Sequence, residues 1–215
     1  LLPDIPADTA QTFFWDGRAS SLENQVLVPI ADRNEMGLDH QAMVDRLSAI
    51  SGYAPYFRDA FGTDGIDRER VAMALSDYVR TRMSGNAPYD RWSYAGEAGA
   101  MSEEAKRGSE IFFFTGNCAS CHAGFNFSDG RFHSLGIGWD AASQRFKDVG
   151  RFAVSHEQRD QGAFKTPGLR DVSKHAPYMH DGSLATLRDV VDFYNRGGLP
   201  GRPKSGRIRP LKLPP

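Results

Sequence analysis

Cys118-Ala119-Ser120-Cys121-His122 holds the only two cysteines of the chain, two residues apart, and follows the second with a histidine. The C-x-x-C-H spacing lets two thiols add to the two vinyl groups of one haem while the adjacent imidazole reaches the iron. Other uses of such a pair fit poorly. A disulfide across two residues closes a strained ring that seldom serves as a staple. A thioredoxin-like pair would sit in a βαβ setting, whereas Cys118 follows the helical-looking run Glu103 to Phe114. A zinc site would need further soft ligands, and there is no other cysteine. The pattern therefore implies a covalent c-type haem, around which the chain must fold.

With 215 residues the chain can build one sizeable core or two small ones. A formal net charge of −1 gives no reason to expect nucleic acid or an anionic membrane as partner. The apolar run Ile111-Phe112-Phe113-Phe114 is far too short to span a bilayer, so no membrane span is expected. Covalent haem attachment normally takes place outside the cytoplasm, and the chain opens at Leu1 without an initiator methionine or leader. The expectation is a mature or incomplete chain of periplasmic location.

The first half reads as helices joined by short loops. Ser20 or Ser21 can cap a helix through Leu22, Val26 and Leu27 that ends near Pro29. Leu38 to Ile50, Tyr53 to Phe61 and Asp67 to Met83 follow, the last with Val71, Met73, Ala74, Leu75, Tyr78 and Val79 in a clear 3.6-residue pattern. Between Ser84 and Gly99, Gly85, Pro88, Gly96 and Gly99 interrupt any periodicity, so a loop and a domain boundary are expected there, dividing residues 1–98 from 99–215. Ser102-Glu103-Glu104 then caps a helix running into the haem motif. The glycine- and aromatic-rich stretch from His122 to about Ser183 shows little regular structure and reads as long loops around the haem. A last helix is expected from Leu184 to Arg196, ended by Gly197-Gly198. The fold class is all-α, with c-type cytochrome domains whose haem is wrapped by helices and long loops.

With His122 on one side of the iron, the sixth position is open to His133, His156, His175, Met179, His180, Tyr194, water or nothing. On the last helix Leu184, Leu187, Val190, Val191 and Tyr194 share a stripe, which points Tyr194 toward whatever that stripe covers. Met179 has the ligand chemistry usual in electron-transfer cytochromes. The residues alone leave Tyr194 and Met179 level.

Two longer segments carry a resemblance. Phe164-Lys165-Thr166-Pro167-Gly168-Leu169-Arg170-Asp171-Val172, followed by Ala176-Pro177-Tyr178-Met179-His180-Asp181-Gly182-Ser183, is similar to the signature of bacterial dihaem cytochrome c peroxidases and their MauG-like relatives. Phe14-Trp15-Asp16-Gly17-Arg18-Ala19-Ser20-Ser21-Leu22-Glu23, then Gln25, Pro29 and Glu35-Met36-Gly37, resembles the segment lining the peroxide pocket of those enzymes. Together they extend from about Phe13 to Gly198.

The resemblance implies an N-terminal haem that reacts with hydrogen peroxide and a C-terminal haem that stores electrons, with His122 as proximal ligand of the second. Its distal ligand lies on the last helix, a methionine in classical peroxidases and a tyrosine in MauG-like members. The matching residue is Tyr194. A phenolate stabilises oxidised iron, whereas a thioether raises the potential. The resemblance makes Glu35 the acid/base group that moves a proton between the peroxide oxygens, with Gln25 beside it in the pocket. Trp15 matches an indole that relays electrons between the haems. Arg170 and Lys165 correspond to partners for haem propionates. His175 and Pro177 correspond to positions whose backbone carbonyls help bind calcium.

Two departures restrict the match. The family carries a first C-x-x-C-H ahead of the Phe-Trp-Asp-Gly-Arg segment, and this chain begins beyond that point, so a preceding region with a second haem is expected. Residues 1–98 would then be the helical part of the peroxidatic domain and 99–215 the C-terminal cytochrome c domain. The tryptophan with which MauG withdraws electrons from a protein substrate is replaced by Gly116. The expected function is peroxide-dependent oxidation, ending in water or in oxidation of a partner protein, with a small redox protein as donor. The alternatives are a monohaem periplasmic electron carrier and a sensor with a displaceable haem ligand.

Overall fold

Ser21 starts the first helix because its hydroxyl accepts the amide of Asn24, a donor that the helix would leave unpaired. In the computed structural model, which describes residues 11–213, this helix is α1 (Leu22–Ala31). Leu1 to Ala10, where the expected first domain begins, lie outside the described residues. Three further helices follow. Asp39 caps α2 (His40–Ser48), and Gly62 ends α3 (Tyr53–Phe61) in the left-handed conformation. Asp67 caps α4 (Arg68–Thr81) by accepting from the amide of Arg70. The bounds of all four match the sequence reading to within a few residues, but the stripe expected on α4 is corrected: of its residues only Val71 is buried, Met73, Ala74, Leu75, Tyr78 and Val79 are exposed, and the inner face is Val71, Ala72 and Ser76.

These helices make one compact unit, Gln11–Phe14 with Ala19–Met83. Ile30, Met43, Phe57 and Val71 are buried at its centre, ringed by Leu27, Leu38, Val44, Leu47, Phe61 and Ile66. Each large apolar side chain so buried contributes about 1.5–3 kcal/mol. Glu23 on α1 reaches Arg80 on α4 at 2.6 Å, but the pair is solvated and adds little.

The second unit comprises Trp15–Arg18 and the chain from Ser84 onward. Within the stretch expected to be loop, Pro88–Ser93 forms a short helix, α5. Pro88 occupies the first turn, where its missing N–H costs nothing, and the Asp90 carboxylate accepts the amide of Ala87. The glycines that hid this helix flank it, and Pro88 opens it rather than interrupting it. Ser102 caps α6 (Glu103–Phe113) as expected. Tyr89 on α5 packs its ring against Trp92, Tyr94, Phe113 and Phe127, joining α5, α6 and the loop after the haem motif in one aromatic cluster.

The expectation of an all-α fold needs correction. The chain is mainly helical, but the long loop region contains two small antiparallel sheets. β1 (Phe132–Ser134) pairs with β4 (Ala163–Lys165), Phe132 opposite Lys165. β2 (Trp139–Asp140) and β3 (Arg145–Phe146) form a hairpin closed by the edge-on rings of Trp139 and Phe146. Strands of two or three residues are too short to show the alternation by which a sequence reveals a strand. A single helical turn, α7 (Phe152–Ser155), lies between β3 and β4.

The last helix, α8 (Leu187–Asn195), starts three residues later than expected. Thr186 and Asp189 form a reciprocal capping box that fixes its first turn, and Leu184 instead bridges to Tyr178. The expected apolar stripe is also revised. Val191 is exposed, and the helix buries Phe193. None of the described helices is long and apolar enough to cross a membrane.

Candidate haem centre

The haem motif begins where α6 runs out. The Gly116 amide donates back to the Ile111 carbonyl at 2.7 Å, and a Cβ on residue 116 would lie 2.8 Å from that same oxygen. A side chain at this position would push the turn open, so Gly116 suits the local backbone. Asn117 takes a left-handed conformation, Cys118–Ser120 coil into one 3₁₀ turn, and the amides of Cys121 and His122 both donate to the Cys118 carbonyl. The turn brings two unpaired, half-buried thiols and an imidazole together.

His122 Nδ1 lies 2.9 Å from the Phe127 carbonyl. A carbonyl can only accept, so Nδ1 carries the proton and Nε2 keeps its lone pair, as in a metal-ligating histidine with its ring fixed from behind. Burial lowers the pKa of the ring and favours its neutral, ligand form. Burial pushes the Cys118 thiol up. At Cys121 burial acts in the same sense, but the His133 imidazole and the Ser120 hydroxyl outweigh it and the thiol is lowered.

Tyr194 is the axial candidate that the fold brings to this turn. Its side chain is half-buried, and its pKa is pushed up first by desolvation and then by charge on Cys121 and Cys118, so the phenol stands close enough to both sulfurs to feel them. The other candidates are placed differently. His133 Nε2 is held 2.9 Å from Asp129, His180 stacks flat on Phe164 at 3.8 Å, and His156 and His175 are exposed. Met179 is half-buried in a left-handed turn, with no recorded interaction with the cysteines.

Behind Tyr194 the chain is pinned at the end of α8. The Asn195 side-chain amide donates to the Leu213 carbonyl and its Oδ1 accepts the Leu213 amide, while Arg207 donates to the Ser120 carbonyl inside the haem motif. Gly197, in the left-handed conformation, lies against Pro210, and any Cβ there would collide with it. His122, Tyr194 and the two cysteines thus form a donor set suited to a haem: one neutral imidazole, one phenol and two free thiols.

The His133–Asp129 pair beside Cys121 was not expected as a pair. Asp129 is drawn down to about 2, because the His133 imidazole and the amide of Arg131 outweigh the opposing effect of burial. His133 is pushed up to about 9, first by Asp129 and then by Cys121. Among the described residues, Cys121, Asp129 and His133 are also the only three ligand atoms of this type close enough to share a metal ion. With Cys121 in a thioether, that set loses its thiolate and belongs to the haem centre. The D-x-x-x-H spacing was the available signal.

Arg170 takes a different partner from a propionate. Its Nη1 and Nη2 donate to both carboxylate oxygens of Asp90 at 2.8 and 2.9 Å, and its Nε donates to the Phe125 carbonyl. Lys165 is half-buried, and burial lowers its pKa. His175 and Pro177 are exposed, and neither neighbours a cluster of carboxylates among the described residues. Two carbonyls alone do not make a calcium site.

In the other unit, Gln25 is half-buried on α1 and Glu35 is exposed in the loop that follows. Pro29, four residues beyond Gln25, has no N–H to offer the Gln25 carbonyl. The loop folds tightly back on α1. The Asp32 carbonyl accepts the amides of Glu35 and Gly37, and the amide of Met36 donates to Pro29. The Glu35 carboxylate makes no hydrogen bond or ion pair among the described residues, and none joins it to Gln25. Trp15 is 62% exposed.

Residues 5–99 match the family model described as di-haem cytochrome c peroxidase. The chain is 41% identical over 204 residues to the methylamine utilization protein MauG of Methylorubrum extorquens, covering 94% of this chain and 56% of that protein. It is 45% identical over 184 residues to MauG of Methylophilus methylotrophus, covering 84% of this chain and 52% of that one. A crystal structure of a MauG-like protein associated with microbial copper homeostasis superposes with a TM-score of 0.77 at 28% identity, covering 99% of this chain and 70% of that one. The chain spans just over half the length of the two MauG proteins.

Proposed function

Because this chain belongs to the dihaem cytochrome c peroxidase family, MauG-like proteins included, we propose that it supplies the electron-storing haem centre and part of the peroxide pocket of a periplasmic, peroxide-dependent oxidoreductase. The observation that carries this reading is the His122 ring held through Nδ1 beside the two free thiols of Cys118 and Cys121, with the half-buried Tyr194 phenol close enough to feel both sulfurs. Haem c, bound through Cys118 and Cys121, supplies one-electron redox chemistry at this centre.

The chain's own groups then act as follows. His122 presents Nε2, its basicity raised by the hydrogen bond from Nδ1 to Phe127. Tyr194 would give up its proton only where a cation compensates, and it is one of the residues that would hold the haem, whose oxidised state a phenolate would favour. Glu35 moves the proton from one oxygen of hydrogen peroxide to the other at its carboxylate, and Gln25 orients the peroxide. Trp15 would serve as the indole through which electrons pass between this centre and its redox partner. Lys165 and Arg170 are the two basic candidates for a propionate role, and the Arg170 guanidinium is held by Asp90. Calcium, if bound through the carbonyls of His175 and Pro177, needs ligands beyond those described. The electron source is a small redox protein, and the product is water or an oxidised protein partner.

The test is a haem count and a peroxide assay on the full-length protein. Two haems per chain by pyridine haemochrome, with donor-dependent consumption of hydrogen peroxide, is the expected result. One haem and no peroxide consumption would overturn it in favour of an electron carrier.

A further inference from the structure

Three consecutive carbonyls, those of Trp15, Asp16 and Gly17, are held by donors from far along the chain. The Lys165 amide donates to the Trp15 carbonyl at 2.8 Å. Arg151 donates from a single nitrogen, Nη1, to the carbonyls of Asp16 and Gly17, both at 3.0 Å. Hydrogen bonds from a charged donor are stronger than those between neutral groups. The guanidinium is itself fixed from behind, with its centre 4.5 Å from the Phe132 ring. Phe132 stands directly opposite Lys165 in the β1–β4 pair, so Lys165 grips from within that pair and Arg151 grips while packed on it.

The backbone of Arg151 is equally constrained. Its amide donates to the Ala163 carbonyl at 2.7 Å, and the preceding residue bridges to Ala163. That residue is Gly150 in the left-handed conformation, where a Cβ would come within 2.2 Å of the Ala163 oxygen. On the other side, the Asp16 carboxylate closes the turn locally by accepting the amide and Nη1 of Arg18. The result is a backbone pinned at three successive residues beneath an indole that stays largely exposed. Pinning the backbone while leaving the side chain free is how a fold presents a residue to something outside itself.

We propose that Arg151 is a positioning residue for Trp15, holding the segment so that the indole meets its electron-transfer partner in one geometry. The inference rests on the relay role given to Trp15 above. Arg151 touches no reacting group and acts only through the carbonyls of Asp16 and Gly17.

The experiment uses the full-length, haem-loaded protein as wild type, Arg151→Gln, Arg151→Lys and Trp15→Phe. Amide exchange of the peptide spanning Phe13 to Ser20 is read by mass spectrometry, beside peroxide turnover and haem content. Arg151→Gln is expected to speed exchange about tenfold in that peptide. It is also expected to lower kcat by up to about 10²-fold at unchanged KM for peroxide and unchanged haem content, the loss a displacement of about 1 Å can cause. Arg151→Lys keeps a donor within reach but loses the flat stack on Phe132, and should fall between the two. Unchanged exchange in both variants refutes the clasp. Faster exchange with unchanged turnover, while Trp15→Phe is impaired, refutes the positioning role but leaves the relay standing. Unimpaired Trp15→Phe overturns the relay itself, and the inference with it. Should Arg151→Gln not accumulate, Arg151→Lys carries the same comparison.

Discussion

Removing the charge of Asp90 should destabilise the haem-bearing unit by about 3–5 kcal/mol, the cost of leaving a buried guanidinium without its counterion. The Asp90 and Arg170 side chains are 12% and 10% exposed, and two parallel hydrogen bonds join them. The Arg170 centre lies 3.9 Å over the Phe125 ring, so it cannot swing out to water without giving up that stack. Arg170→Met should cost less, because the carboxylate it strands still accepts the Ala87 amide. The double variant should cost less than the sum of the two. Asp90 is held below the usual carboxylate range by the Arg170 guanidinium first and the Ala87 amide after it, against the pull of burial. A carboxyl depressed in the folded state stabilises fully above its unfolded pKa, about 3.9, and that contribution is lost as pH falls through the lower folded value. Urea unfolding followed by far-UV circular dichroism should therefore give a constant gap between wild type and Asp90→Ala from pH 5 to 8, shrinking in stronger acid. A gap below about 1 kcal/mol, the value of a solvated pair, would refute the reasoning. So would a gap unchanged down to the acid limit of folding. A spectroscopic consequence follows too, since Arg170 holds the Phe125 carbonyl two residues before the one that orients His122.

Tyr194→Met should raise the midpoint potential of this haem by a sizeable part of the roughly 0.8 V that axial ligands span. Potentiometric titration reads it, and an unchanged or lower potential would remove Tyr194 from the iron. Glu35→Gln should lower kcat for peroxide by about 10²–10⁴-fold with haem content intact, as measured by steady-state turnover, and wild-type turnover would move the acid/base role elsewhere. Gly150→Ala should cost more than about 1 kcal/mol in denaturant unfolding, because it asks for a left-handed alanine with its Cβ on the Ala163 oxygen. A neutral result would mean that the Arg151 turn relaxes more easily than its geometry suggests.

The helices of the first unit were legible mainly through their ends, as at the caps Ser21 and Asp67 and at Gly62 after α3, whereas the period read on α4 picked mostly exposed residues beside Val71. α5 was not, since six residues are too few to carry a period and its flanking glycines look like loop. The sheets escaped for the same reason, being held by single cross-strand contacts such as Trp139 on Phe146. On α8 the expected stripe starts too early and leaves out Phe193, the residue the helix buries. The capping pair Thr186 and Asp189 was the better signal, and it moves Leu184 out of the helix altogether.

At the site, legibility followed sequence separation. His122 and the cysteines lie within five residues, so their spacing alone states their chemistry. Tyr194 was legible only as one of two equal choices until the resemblance weighted it. The groups that hold these residues in place were invisible, since Asp90 is 80 residues from Arg170 and Arg151 is about 135 residues from the carbonyls it grips. An arginine that pairs with a carboxylate or a backbone carbonyl leaves no pattern in its own neighbourhood, because the partner is chosen by the fold. The same arginine reads as a solvated charge or a propionate partner until its donors are traced. Chemistry-bearing residues here announce themselves locally, whereas the residues that orient them are products of topology. For that reason the variants most informative about this protein lie at Arg151 and Asp90 rather than at the haem motif, where any change abolishes the cofactor along with the question.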